Sequence, residues 1–187
     1  MDKTVESIVE NIINNEMKVL VIGDIMLDEF VSGDISRLSP EAPVPVLSNM
    51  VSKYQLGGAA NVCKNLASIG VKVDLMGAIG ADFNSDIVLQ LLKESNISTE
   101  FIYQISDYIT TTKTRFTSKD GNQILRIDRE KVFDFSKEFE ASVRNTIKCI
   151  INEYNVVILS DYAKGFLSIS LTKEIIRKSN LENVKVI

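Results

Sequence analysis

The sequence contains no histidine, which removes every triad built on a His base and every zinc site built on His ligands. Cysteine is scarce too: Cys63 and Cys149 stand far apart, without the spacing of a pair. Cys63 falls on the apolar side of an expected helix and Cys149 in an apolar stretch, so both read as buried free thiols. Proline is confined to Pro40, Pro43 and Pro45. No apolar run approaches the roughly 18 residues of a transmembrane helix. Glu6, Glu10 and Glu16 interrupt the N-terminus, unlike a secretory signal. Neither G-x-G-x-x-G nor G-x-x-x-x-G-K-[ST] occurs, so no familiar phosphate cradle is written into the chain. Internal repeats, linkers and low-complexity segments are absent as well.

What remains is an ordinary globular composition, 45% hydrophobic and 25% charged over 187 residues, enough for one domain with a sizeable core. The net charge of −4 turns away nucleic acid and anionic membrane. A cytoplasmic protein is expected.

Periodicity divides the chain. Val5, Ile8, Val9, Ile12 and Ile13 predict an amphipathic helix over residues 4–15, and Lys18–Gly23 is an apolar run suited to a strand buried on both faces. From about 29 to 53 the pattern breaks into short alternating pieces around Gly33 and the three prolines, read as an excursion from the main sheet. Helices are expected from Gly57-Gly58 to Gly70, over 84–95, over 137–152 and over 170–179. Strands are expected over 71–77, 101–105, 156–160 and 184–187. A second excursion, 106–131, holds two alternating runs around Asp120-Gly121, a hairpin turn signal. Strands alternating with helices imply a doubly wound, mostly parallel α/β sheet, and the two polar excursions a small β lid. The last strand ends with the chain, leaving an uncovered apolar edge and a fold incomplete at the C-terminus.

Four motifs carry chemistry. Gly57-Gly58-Ala59-Ala60-Asn61 opens a helix, where glycines permit close approach and Asn61 both donates and accepts; a glycine turn with a capping amide fits equally. Gly23-Asp24 and Asp28 follow the first strand at its carboxyl end, where open α/β sheets bind ligands, although a turn cap would use the same residues. Lys113 and Arg115 share one strand face, and Arg126 and Asp128 repeat the arrangement on the hairpin partner. Ser106–Lys131 holds six basic and four acidic residues, which suits an anionic small molecule or a salt-bridged surface. Finally, Asp161 and Lys164 in Ser160–Gly165 follow another buried strand, Asp161 as a possible base and Lys164 as a phosphate ligand.

In their order and spacing these motifs resemble the ribokinase-type (PfkB) carbohydrate kinases. YQLGGAANVCKNLASIG looks like the N-terminal signature of that family and GAIGAD like its next strand and turn. VIGDIMLDEFVSG, SRLSPEAPVPVL, TTTKTRF, RIDRE and LSDYAKG resemble its branch acting on D-glycero-D-manno-heptose 7-phosphate, from about Met17 to Ile187. The resemblance implies a ribokinase-like fold with a β lid that pairs two subunits. It also implies phosphate transfer from ATP, with Mg2+, to the anomeric hydroxyl in ADP-heptose and lipopolysaccharide core synthesis. By the same resemblance Asp28 holds sugar hydroxyls and Gly57, Gly58 and Asn61 form the sugar cradle. Lys113, Arg115, Arg126 and Lys164 meet the substrate phosphate and hydroxyls, with Asp128 and Asp161 in support. The family's G-A-G-D catalytic aspartate and N-x-x-E magnesium segment lie beyond an equivalent of Ile187. No catalytic or metal residue is therefore expected among these 187, which should be inactive alone and bind neither ATP nor Mg2+. A sugar-phosphate-binding module without catalysis, a kinase for another sugar, and a scaffold serving only protein contacts remain as alternatives.

Overall fold

A computed structural model of the protein describes Glu10 and residues 17–187. The helix expected over 4–15 falls, but for Glu10, outside them. Two sheets organise the rest. Strands β1 (Lys18–Gly23), β4 (Lys72–Gly80), β5 (Ile102–Ile105), β8 (Val156–Ser160) and β9 (Lys185–Val186) form a five-stranded sheet in the order β5-β4-β1-β8-β9. All its neighbours run parallel. Strands β2 (Ile25–Leu38), β3 (Pro45–Gly57), β6 (Thr111–Ser118) and β7 (Gln123–Arg129) form a four-stranded sheet in the order β3-β2-β6-β7.

The central strand shows why the large sheet is doubly wound. Side chains alternate along a strand, so Val19 and Val21 enter one core while Leu20 and Ile22 enter the other. Helices α1 (Gly58–Ser68) and α2 (Phe83–Glu94) cover the first face; α3 (Lys137–Ile150) and α4 (Ile169–Leu181) cover the second. Caps fix three of these helix starts. Asp82 and Ser85 form a reciprocal capping box on α2, while Ser136 and Ser168 accept hydrogen bonds from the third residues of α3 and α4. No helix among the described residues is long and apolar enough to cross a membrane.

Three expectations change. Gly33 and the prolines do not fragment residues 29–53: β2 and β3 are 14 and 13 residues long. Gly33 is absorbed in a register shift between Ser32 and Asp34. Pro40 and Pro43 lie in the turn, and Pro45 starts an edge strand, where a missing N–H breaks no ladder. The second strand of the large sheet runs on through Gly80 instead of stopping at 77. Cys149 is exposed, since Val143 and Ile147 set the buried side of α3 and Cys149, two residues beyond Ile147, points away. Cys63 is buried as expected, and that burial pushes its thiol pKa up, so it stays a neutral packing group.

Candidate substrate site

The site begins where β1 ends. Asp24 follows Gly23 and is only 1% exposed, an environment costly for a carboxylate unless its oxygens are satisfied. Three backbone amides satisfy them. Tyr162 N–H and Lys164 N–H donate to Oδ2 at 2.8 and 3.1 Å, and Phe166 N–H donates to Oδ1 at 3.3 Å. The loop after β8 thus wraps its alternate N–H groups around one buried charge, and Lys164 takes its position from Asp24. The loop braces itself too: Asp161 Oδ1 accepts from Ala163 N–H at 2.8 Å, and Phe133 N–H donates to the Lys164 carbonyl at 3.1 Å.

The same Asp24 sets the glycine junction. Its carbonyl accepts the Ala59 amide at 2.9 Å as the chain turns from β3 into α1. Gly58 adopts φ +56 there, with the Asp24 carbonyl where a side chain would begin; only glycine takes that conformation without strain. At Gly57 a Cβ would lie 2.6 Å from Asp28 Oδ2. The glycine pair therefore makes room first for the chain's own groups, the Asp28 carboxylate and the Asp24 backbone carbonyl. Gly57 is also the N-cap of α1 and offers no side-chain hydrogen bond. Asn61, the fourth residue of α1 and exposed, is not its capping amide.

From this junction the small sheet carries a charged face. Parallel pairing puts Asp28 beside Lys113 and Phe30 beside Arg115; antiparallel pairing adds Asp128 opposite Lys113 and Arg126 opposite Arg115. Arg115 Nη1 donates to Asp28 Oδ1 at 2.6 Å, and its guanidinium lies 5.2 Å from the Phe30 ring centroid. Lys113 Nζ donates to Asp128 Oδ2 and to Glu130 Oε2, both at 3.1 Å. Arg126 grips both oxygens of Asp128, Nε donating to Oδ1 and Nη2 to Oδ2, each at 2.9 Å. Lys164 Nζ closes the series on Glu130 Oε1 at 2.9 Å. Burial works against charge on Lys113 and Asp128, but their mutual hydrogen bond and those to Glu130 and Arg126 outweigh it, raising the lysine and lowering the aspartate. The Lys164 hydrogen bond holds Glu130 below its ordinary value.

The structure thus gathers Lys113, Arg126, Asp128 and Lys164 into one ionic chain, and Asp28, Arg115 and Gly57 into a second group beside it. Asp161 stays out of both: it is exposed, and its carboxylate caps its own loop. Two residues outside the ligand set implied by the resemblance prove central. Asp24 organises a loop about 140 residues away, which no local pattern reveals. Glu130 was legible, since it continues the alternation of Arg126 and Asp128 one step past the end of β7.

The match with known proteins decides the family. Residues 17–178 fit the pfkB family carbohydrate kinases. The chain belongs to that family. Among its relatives, the bifunctional protein HldE of Magnetococcus marinus is 41% identical over 167 residues, covering 87% of this chain and 34% of the relative. The protein of the same name from Aliarcobacter butzleri is 36% identical over 175 residues, covering 94% and 37%. The chain spans about a third of the length of these relatives. Among solved structures, a carbohydrate kinase from Agrobacterium tumefaciens superposes with a TM-score of 0.69 at 14% identity, over 91% of this chain and 52% of that one. Arabidopsis thaliana ribokinase complexed with ribose and ATP gives 0.61 at 16% identity, with the same coverage. The fold is therefore ribokinase-like. In this pfkB chain the charged small-sheet face and the glycine junction lie together at the carboxyl end of β1, where open α/β sheets receive ligands.

Proposed function

We propose that these residues form the sugar-binding part of a kinase that transfers phosphate from ATP to the anomeric hydroxyl of D-glycero-D-manno-heptose 7-phosphate. The reaction belongs to ADP-heptose and lipopolysaccharide core synthesis and takes place in the cytoplasm. One observation carries the reading: a carboxylate–guanidinium pair beside a glycine junction adjoins three cations suited to a phosphate, Lys113 and Arg126 on the same sheet face and Lys164 on the loop after β8. Sugar hydroxyls both donate and accept, which Asp28, Arg115 and Asn61 can answer. A phosphate monoester wants charge-assisted donors, which Lys113, Arg126 and Lys164 supply. Among the described residues no set of acidic or sulfur side chains converges as metal ligands. The pfkB family implies ATP and Mg2+ for the whole protein.

The same reading pairs two subunits through the small sheet. On its other face Pro45, Leu47, Phe116, Ile124 and Leu125 line a shallow cavity of about 140 Å³, and Leu125 and Ile127 stand roughly half exposed. A second copy would cover this apolar strip.

Calorimetric titration with heptose 7-phosphate tests the site. Saturable binding is expected, weakened tenfold or more in Asp28→Ala, because a hydrogen bond to a charged group contributes roughly 1.5–3 kcal/mol. Absence of binding by the unaltered protein, or an unchanged affinity in the variant, would remove the sugar assignment. Asn61→Ala should lower the affinity about fivefold, the loss of one neutral hydrogen bond. Since Asn61 caps nothing, the melting temperature should stay put. A lowered melting point with intact affinity would make Asn61 structural.

A further inference from the structure

The cations that suit a phosphate are already engaged. Lys113 and Lys164, whose side chains are only 19% and 15% exposed, share the two oxygens of Glu130. One carboxylate on the connection after β7 thus spans an ammonium group of the small sheet and one of the loop that Asp24 holds. Glu130 has no other side-chain hydrogen bond among the described residues, keeps 29% of its side chain exposed, and follows the last ladder residue, Arg129. Asp128 differs on each point: it lies within β7 and is fixed by both Lys113 and Arg126.

We propose that Glu130 is an internal competitor of the substrate's phosphate group for Lys113 and Lys164. This inference rests on reading the face as a sugar-phosphate site and deepens it. Two ammonium groups held near each other without an anion repel. Glu130 removes that repulsion and keeps both lysines aimed at one point. A phosphate monoester offers the same pattern, several oxygens on one centre, with more charge. It therefore takes both lysines and releases Glu130 toward solvent. The exchange lowers the apparent affinity by the fraction of molecules in which the lysines are free. It also sharpens selection: a neutral sugar brings nothing that displaces Glu130, so the charged cluster stays closed to it.

The test compares Glu130→Gln with the unaltered protein, titrating heptose 7-phosphate, unphosphorylated heptose and inorganic phosphate at fixed ionic strength. Glu130→Gln should bind heptose 7-phosphate and inorganic phosphate roughly fivefold or more tightly, with heptose unchanged. The gain should vanish in the double variant Glu130→Gln, Lys113→Ala. Glu130→Ser removes the charge without leaving an amide to bridge the lysines, and should show the same gain if Glu130→Gln folds poorly. Equal or weaker phosphate binding in both Glu130 variants, with melting temperatures preserved, would overturn the inference and make Glu130 a mere support for the lysines. If inorganic phosphate binds more tightly in Glu130→Gln while heptose 7-phosphate binds no better than heptose, the competition stands and the sugar assignment falls.

Discussion

Asp24→Asn is expected to lower folding stability by about 2–4 kcal/mol, a large share of the 5–15 kcal/mol by which a domain is ordinarily stable. The carboxylate is 1% exposed and accepts three backbone N–H groups with two oxygens. Each hydrogen bond to a charged acceptor contributes roughly 1.5–3 kcal/mol, and each buried N–H left without a partner costs about 1–3 kcal/mol. Asparagine keeps one acceptor and turns the other oxygen into an N–H2 group. Whichever way the amide is placed, that group faces at least one N–H donor. Asp24→Leu removes both acceptors and should be worse. Urea unfolding checks this as a lower midpoint at an unchanged slope. A functional effect should follow, because the same amides position Lys164: heptose 7-phosphate affinity should fall even in conditions where Asp24→Asn remains folded. An asparagine variant within about 0.5 kcal/mol of the parent would show that the loop does not depend on the charge.

Asp24 also marks the limit of what the sequence discloses. Local pattern sufficed wherever an element's own residues set which of its sides are buried. The apolar run Lys18–Gly23 announced a strand buried on both faces, and Ala59, Cys63 and Leu66 announced the inner side of α1. Pattern misled where context overrode it. Gly33 reads as a breaker, yet a long antiparallel partner absorbs it as a register shift. Cys149 lies in an apolar stretch, yet the phase of α3 turns it outward. Gly77 reads as the end of a strand, yet pairing with β5 carries β4 on to Gly80. The donors to the Asp24 carboxylate lie 138–142 residues away, and only the closed fold brings them to it.

For the site, alternation gave the essential arrangement. Lys113 with Arg115, and Arg126 with Asp128, were expected on shared faces, and the β6–β7 register places Lys113 opposite Asp128 and Arg115 opposite Arg126. The pairing of charges was less legible. Sequence shows six basic and four acidic residues in this stretch, but not that Lys113, Arg126 and Lys164 are each tied to a carboxylate. The glycines carried a double meaning as well. A pair opening a helix suggests room for a ligand, whereas at Gly57 and Gly58 the space is filled first by Asp28 and the Asp24 carbonyl.

In a protein carrying the whole kinase, kcat/KM for heptose 7-phosphate is expected to exceed that for unphosphorylated heptose by about a hundredfold. Two lysines and an arginine meeting a phosphate would give several charge-assisted hydrogen bonds at roughly 1.5–3 kcal/mol each. Against that stands the loss of the contacts these cations already make with Glu130 and Asp128. A surplus near 3 kcal/mol remains reasonable, and every 1.4 kcal/mol is a factor of ten. The preference should shrink as salt is added, since the ionic chain reaches solvent at Arg126 and exposed charges are screened. Lys113→Ala should remove most of it by lowering the value for heptose 7-phosphate while leaving heptose within a fewfold of the parent. That split separates a phosphate ligand from a residue needed for folding, which would depress both substrates together. Equal kcat/KM values for the two sugars in the parent would end the heptose-phosphate assignment, leaving a kinase whose substrate meets only the Asp28, Arg115 and Asn61 side of the site.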